Sequence, residues 1–365
     1  MDTQFLNEHL LPGKIGELFT LISFAASIVC TLSYFFSTQS RSENDQRSWK
    51  ILARSSFFAH AFSVFGIFIT LFYIIFNHYF EYNYAWTHSS RELPFKYLLS
   101  CFWEGQEGSF LLWTTWNCIL SFFVIGNKGK WETPVMSIVG LSQIFLSSML
   151  LGIYFFGEKI GSNPFILLRD QMVGAPIFQQ PGYLASIVDG NGLNPLLQNY
   201  WMVIHPPVLF LGFASTLLPF AYVIATMWKN DYEDFIPVLL KWSLFSCMIL
   251  GTGIMMGGAW AYESLNFGGY WAWDPVENAS LVPWIIMLAG LHTLMIYKST
   301  GYSLKSVILF FYLVVRPCFI FFVSYPHGYF RRNVGTCLYR RRQFIILSSA
   351  GLPVPFPLDR VEPFL

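Results

Sequence analysis

Charge is scarce in this sequence. Of 365 residues, 12% are Asp, Glu, Lys or Arg, about half the share carried by a soluble globular domain. Apolar residues make up 54% and the net charge is +1, so neither a nucleic acid nor an acidic substrate is indicated. Cysteine chemistry is missing too. The six cysteines (Cys30, Cys101, Cys118, Cys247, Cys318 and Cys337) form no Cys-x-x-Cys and no metal-type spacing. Five of them lie in or beside apolar runs, where a cysteine acts as a small buried hydrophobe. The start, Met-Asp-Thr-Gln with acidic Glu8, has neither the basic opening of a signal peptide nor the arginines of a transit peptide. The expectation is insertion through the first helix, or synthesis in the compartment where the protein works. The 38 phenylalanines hint at organelle coding. No period of 20–50 residues recurs, which excludes a solenoid.

What is present is a series of long apolar runs. They predict an all-α, polytopic helical membrane protein with about eight spans, near residues 15–36, 56–76, 109–126, 134–156, 206–228, 242–261, 281–297 and 306–325. Each is close to the ~20 residues that cross a bilayer core. Basic residues orient them. Arg41, Arg47, Lys50 and Arg54, then Lys128 and Lys130, then Lys229, then Lys298 and Lys305 occupy alternate connections, which should lie on the matrix or cytoplasmic side. The loops 77–108, 157–205 and 262–280 then face outward. The division expected is a transmembrane domain over 1–325 and a basic, Pro-rich tail over 326–365. Arg331, Arg332, Arg340, Arg341 and Arg342 in that tail, and Arg316 beside Pro317 in the eighth run, oppose an outward tail, so either that run does not cross or the tail breaks the rule.

One outer connection is unusual: Asn266-Phe267-Gly268-Gly269-Tyr270-Trp271-Ala272-Trp273-Asp274. Gly268 and Gly269 should break the preceding helix and let the backbone approach something flat. Tyr270, Trp271 and Trp273 are amphipathic aromatics at the membrane surface. Asp274, Pro275 and Glu277 have the spacing of a helix start. An aromatic belt plus a helix start accounts for these residues taken alone. Two histidines add to the picture. His205 stands at the outer mouth of the fifth run, directly before Pro206-Pro207. His292 lies eleven residues past Leu281, roughly 17 Å deep at 1.5 Å per residue. An imidazole at that depth needs partners for both nitrogens. An interhelical hydrogen bond or an interfacial cap would supply one, and so would haem iron, with indoles packed on the macrocycle. Asn266, Asn278, Ser280 and Arg91 are on the correct side to meet propionates.

Three blocks in order carry a family resemblance. "GGAWAYESLNFGGYWAWDPVENASLVPW" resembles the tryptophan-rich WWD signature of haem-handling membrane proteins of cytochrome c maturation. "GLNPLLQNYWMVIHPPVLFLGF" and "HSSRELPFKYLLSCFWEGQEGSFLLW" resemble the haem lyase subunit CcmF, and most closely its split plant mitochondrial form, CcmFN. The resemblance covers about residues 55–295. It implies an external haem-iron ligand at His205 and a ligand to an intramembrane b-type haem at His292. It also implies a haem-holding stretch that includes Gly268, Gly269, Tyr270, Trp271, Trp273 and Asp274. The activity implied is that of a cytochrome c haem lyase subunit, inactive alone. It would receive haem from the carrier CcmE and join it to the Cys-x-x-Cys-His of apocytochrome c. Other CcmF chains and a CcmH-type thioreductant would be partners, in the mitochondrial inner membrane with the aromatic stretch facing the intermembrane space, or in a bacterial inner membrane facing the periplasm. A CcmC-type haem transporter loading the carrier is the alternative.

The sequence departs from the family at Phe267 and Tyr270, where tryptophans are usual, and after about Ser306. The family's second external and second intramembrane histidines are not matched, and His327 sits in the wrong context, so partner chains would have to supply those ligands. Glu104 and Glu107 flank Gly105 and read either as acids at a helix start or as contacts to haem or substrate. His88 is expected to be a solvated loop histidine, and His9, His60 and His78 are given no ligand role.

Overall fold

The structure, a computed structural model, describes residues 5–155, 158–232, 234–265, 269–273 and 275–324. Its helices are α1 (Leu10–Gln39), α2 (Glu43–Phe76), α3 (Asn83–His88), α4 (Phe95–Glu104), α5 (Gln106–Gly126), α6 (Glu132–Leu151), α7 (Leu168–Gln171), α8 (Tyr200–Lys229), α9 (Ile236–Ser264), α10 (Pro275–Thr300) and α11 (Leu304–Ser324). After α6 comes a short antiparallel hairpin, β1 (Ile153–Phe155) on β2 (Glu158–Ile160), pairing Ile153 with Ile160. Residues 1–318 form one compact unit. Of the second, 319–365, the described part is the end of α11.

Among the described residues seven helices are long and apolar enough to cross a membrane: α1, α2, α5, α6, α8, α9 and α10. They correspond to the first seven expected spans. The eighth expected run lies within α11. The tail beyond it, with His327, lies outside the described residues.

Packing follows composition. α1 lies against α2 and α6, α5 and α6 against α8, and α8 and α10 against α9. The buried face of α1 is small and polar (Gly13, Gly16, Thr20, Ser23, Ser27, Cys30), while Leu11, Leu18, Leu21 and Val29 are exposed. A soluble helix would have the opposite arrangement. In lipid, tails already solvate leucine, and small residues let backbones close up.

At one end the basic connections meet. Buried Glu132 takes Arg54 Nε at 2.7 Å and Lys50 Nζ at 2.8 Å, Lys130 reaches Asp234 at 2.7 Å, and Lys229 donates to the Thr38 carbonyl at 3.0 Å. At the opposite end the two long loops are laced together. Leu168 N–H donates to Glu81 O at 2.7 Å and Asn191 N–H to Trp86 O at 2.8 Å. The chain start joins them: His9 N–H donates to Glu81 Oε1 and Tyr82 Oη to His9 O, at 2.9 and 2.6 Å.

Candidate functional site

His205, expected at the mouth of the fifth run, lies in the second turn of α8, which begins at Tyr200, ahead of Pro206. Asn199 caps that helix, its Oδ1 accepting Trp201 N–H at 3.0 Å, and the helix runs on through Pro206 and Pro207. A proline has no N–H, so Pro206 leaves the carbonyl four residues back without its helical donor. That carbonyl is Met202 O, and the Trp103 indole at the end of α4 donates to it at 2.8 Å. The start of α8 is held from its other side as well, by Asn199 Nδ2 on Glu263 and Ser264 of α9, at 3.3 and 3.2 Å.

The His205 ring presses on α9. A Cβ on Gly257 would lie 2.8 Å from its Cε1 and 3.2 Å from its Nε2. Its Nδ1 is buried and has no hydrogen-bond partner. The next residue, Gly258, receives the other candidate element, since a Cβ there would lie 3.0 Å from Tyr270 O. Two consecutive glycines of α9 therefore seat both the histidine and the aromatic stretch.

That stretch begins after α9 ends at Ser264, so the helix stops before the glycine pair that was expected to break it. Gly268 and Asp274 lie outside the described residues, as do Asn266 and Phe267. Gly269 leads into Tyr270, whose ring stacks on Tyr262 at 4.4 Å. Trp271 is half-buried with its Nε1 unpartnered, and it meets Trp273 edge to face at 5.9 Å. Trp273 is 70% exposed with φ +56°. Such a left-handed backbone is uncommon for a bulky residue and marks a constrained site. Two side chains of α10 hold the loop there: Glu277 accepts from Ala272 N–H at 2.8 Å, and Asn278 donates to Trp273 O at 3.2 Å.

His292 is exposed on the outside of this chain, which corrects the expectation of a buried ring. α10 turns Met287, Leu291 and Leu294 inward, and His292 follows Leu291 onto the other face. Its Nδ1 contacts the Leu288 carbonyl at 2.8 Å. A carbonyl only accepts, so in the neutral ring Nδ1 carries the proton and Nε2 keeps the lone pair.

The two blocks that flank α4 form one cluster. His88 Nδ1 is 3.2 Å from Glu104 Oε2, with both side chains mostly buried. This overturns the solvated-histidine expectation. Tyr84 Oη donates to Phe102 O at 2.7 Å and accepts from Gly105 N–H at 3.2 Å. Burial, and then the Glu107 charge, holds its phenol well above the ordinary value. Gly105 is required by close approach, because a Cβ would sit 2.5 Å from the Tyr84 ring and 2.8 Å from His88 Nε2. The two acids separate here. Glu107 occupies the first turn of α5, where an acid favours the dipole, whereas Glu104 ends α4 and pairs with His88. No motif or spacing announces that pair.

The propionate candidates are occupied locally: Arg91 sits 5.5 Å over the Phe80 ring, Asn278 on Trp273 O, and Ser280 Oγ on Glu277 O at 2.8 Å. Cys30, Cys101, Cys118 and Cys247 are free and buried, and no metal-type cluster of His, Cys, Asp or Glu occurs among the described residues.

Comparison with known proteins gives a consistent result. The family model of the cytochrome c assembly protein matches residues 103–326. The cytochrome c-type biogenesis protein NrfE of Haemophilus influenzae is 34% identical over 227 residues, 61% of this chain and 32% of that protein. CcmF of Pseudomonas aeruginosa is 32% identical over 261 residues, 70% of this chain and 36% of that protein. The solved structure of the cytochrome c haem lyase CcmF matches 89% of this chain and 51% of its own, with a TM-score of 0.63 at 23% identity, a likeness of fold. The chain thus spans about a third of the length of these curated relatives and about half of the solved one.

Proposed function

The chain belongs to the cytochrome c assembly protein family, and from that membership we propose that it is one part of a cytochrome c haem lyase, completed by partner chains. Haem delivered by the carrier CcmE is the substrate. It is held outside the membrane by His205, Gly269, Tyr270, Trp271 and Trp273, with Gly268 and Asp274 of the same stretch, and is joined to the Cys-x-x-Cys-His of apocytochrome c. The observation that carries this reading is the meeting of the His205 imidazole and the Tyr270 backbone on the consecutive glycines Gly257 and Gly258.

The donor set suits a tetrapyrrole. His205 has a buried ring nitrogen without a partner, Trp271 has an indole N–H without one, and the edge-to-face indoles offer an apolar wall with polar edges. Attachment adds each apocytochrome thiol across a vinyl group. The S–C bond forms, the S–H hydrogen goes to the neighbouring carbon, and no oxidant is consumed. A resident b-type haem would be held at His292 Nε2 and by a second imidazole from a partner chain, and when bound it supplies electrons that keep the incoming iron reduced. The exposed His292 suits a site shared between chains. The other partners are the remaining CcmF part and a CcmH-type thioreductant, in the mitochondrial inner membrane with the aromatic stretch toward the intermembrane space.

The test is a haem spectrum of the purified, partner-complete complex. Partial loss of absorbance in His292→Ala is expected, and an unchanged spectrum removes the intramembrane ligand role. Crosslinking of the same complex to apocytochrome c separates this reading from a CcmC-type transporter, which would capture the carrier alone.

A further inference from the structure

A cavity of about 250 Å³ opens where the chain start, the end of α2 and the two laced loops meet, with no lining residue from α8, α9 or α10. Arg91, His78 and His9 bring basic side chains to it, Glu81 is its single acid, and Leu184 and Ile187 give it an apolar wall. Sites for drug-sized ligands run to about 300–1,000 Å³, so a compact group fits here and a tetrapyrrole does not.

The acids at this place are already committed. Glu81 Oε1 accepts from His9 N–H at 2.9 Å and lies 2.9 Å from His9 Nδ1, and the His9 ring stacks on Tyr79 at 4.3 Å. Asp189 Oδ1 accepts the N–H groups of Gly190 and Arg91, at 2.7 and 2.9 Å. Arg91 is thus anchored by its backbone. Its guanidinium enters no ion pair among the described residues. It lies 5.5 Å over the Phe80 ring, a contact that uses none of its N–H donors. The His78 ring is 5.8 Å from the same Phe80 ring. Burial first, and then the Arg91 charge, hold His78 below its ordinary pKa, with Asp189 opposing. Two cationic donors that oppose each other's charge beside one aromatic ring form an arrangement that an anion stabilises.

Position selects the anion. α1 and α2 are both long and apolar enough to cross a membrane. The lining residue His9 directly precedes α1, and Asn77 directly follows α2. Tyr79 meets Tyr73 edge to face at 5.8 Å, and Tyr73 and Phe76 of α2 are exposed, as is Leu11 of α1. The ends of spanning helices lie at headgroup level, where tyrosines are enriched.

We propose that this cavity binds a phosphate group, held by the Arg91 guanidinium and the His78 ring, with Leu184 and Ile187 against the carbon chain esterified to it. A guanidinium matches two phosphate oxygens at once. A phospholipid headgroup and a free phosphate share this chemistry, and the position at the helix ends favours the headgroup. The bound anion draws His78 toward its protonated form. The site does not rest on the haem reading.

The test uses the whole chain with 15N-labelled histidine in phosphate-free detergent micelles, His78 being assigned by the signals lost in His78→Asn. Dihexanoyl phosphatidylglycerol, sodium phosphate and dihexanoylglycerol are titrated separately. A saturable shift of the His78 ring signals is expected with the phospholipid. In Arg91→Gln its midpoint should rise by at least about tenfold, the loss of one charge-assisted hydrogen bond. Lys96→Gln, another exposed cation of the same loop, should leave the midpoint unchanged. The loop contact of Arg91 uses its backbone N–H, so the Gln variant retains it. A shift with sodium phosphate as well as, or in place of, the phospholipid supports the site with free phosphate as its ligand. Signals that neither phosphate moves in the unmodified protein overturn the proposal. An equal response to dihexanoylglycerol overturns it too, as does an unchanged midpoint in folded Arg91→Gln.

Discussion

The Trp103 indole donates to Met202 O at 2.8 Å, substituting for the N–H that Pro206 lacks. A residue in the first outer loop system thereby completes the turn of α8 from which His205 projects. The Trp-Glu-Gly-Gln-Glu-Gly block and the His-Pro-Pro block, about a hundred positions apart in the chain, are one structural unit.

Removing that donor should leave a buried carbonyl unmet. Trp103→Phe is expected to cost about 1–3 kcal/mol, visible as a lower melting temperature of the purified complex. Haem titration followed by absorbance should show weaker binding at the outer site, with the His292-dependent part of the spectrum unchanged.

Gly257→Ala places a methyl 2.8 Å from the His205 ring. Overpacking of this kind costs about 1–3 kcal/mol, and here the strain falls on the proposed ligand. Outer-site haem affinity should drop about tenfold, at about 1.4 kcal/mol per decade. Gly174→Ala, where nothing lies within 4 Å, is the control and should leave the titration unaltered.

Glu132 is buried and serves both Arg54 and Lys50. Glu132→Gln keeps its shape but removes the charge. Breaking a buried pair costs about 3–5 kcal/mol; with both cations partly exposed, the lower end is expected. Size-exclusion profiles and melting curves in detergent should show a destabilised bundle, more so than Lys130→Gln at the exposed cluster with Asp231 and Asp234.

His78 is held below its ordinary pKa, first by burial and then by Arg91, with Asp189 opposing. The unfolded chain therefore binds a proton that the folded ring resists, and stability should fall as pH drops below about 6.5. His78→Asn removes that dependence. Asn also tolerates the left-handed backbone at this position, φ +54°. The difference in melting temperature between pH 7.5 and pH 5.5 should be smaller in the variant than in the unmodified protein.

The helices were legible because lipid demands long apolar runs, and composition alone delimits them. Their ends were less so. Asn199 starts α8 well before Pro206, since prolines in the second turn leave carbonyls that a tryptophan elsewhere can satisfy, and no local pattern announces such a donor. The His88–Glu104 pair and the His60–Ser23 contact were illegible for the same reason: each joins segments whose spacing follows no helical or strand period. His292 could be located along its helix but not around it, because α10 is apolar on every face and the side turned to α9 is set by packing.

The lacing of the outer loops has a consequence for biosynthesis. Glu81 waits for Leu168 and Trp86 for Asn191, and α5 and α6 are made in between. The lid over the outer end therefore cannot close when its first half emerges. During that interval the aromatic-rich first loop stands open, and the step that ends its exposure is the arrival of the second loop at the same end of the bundle.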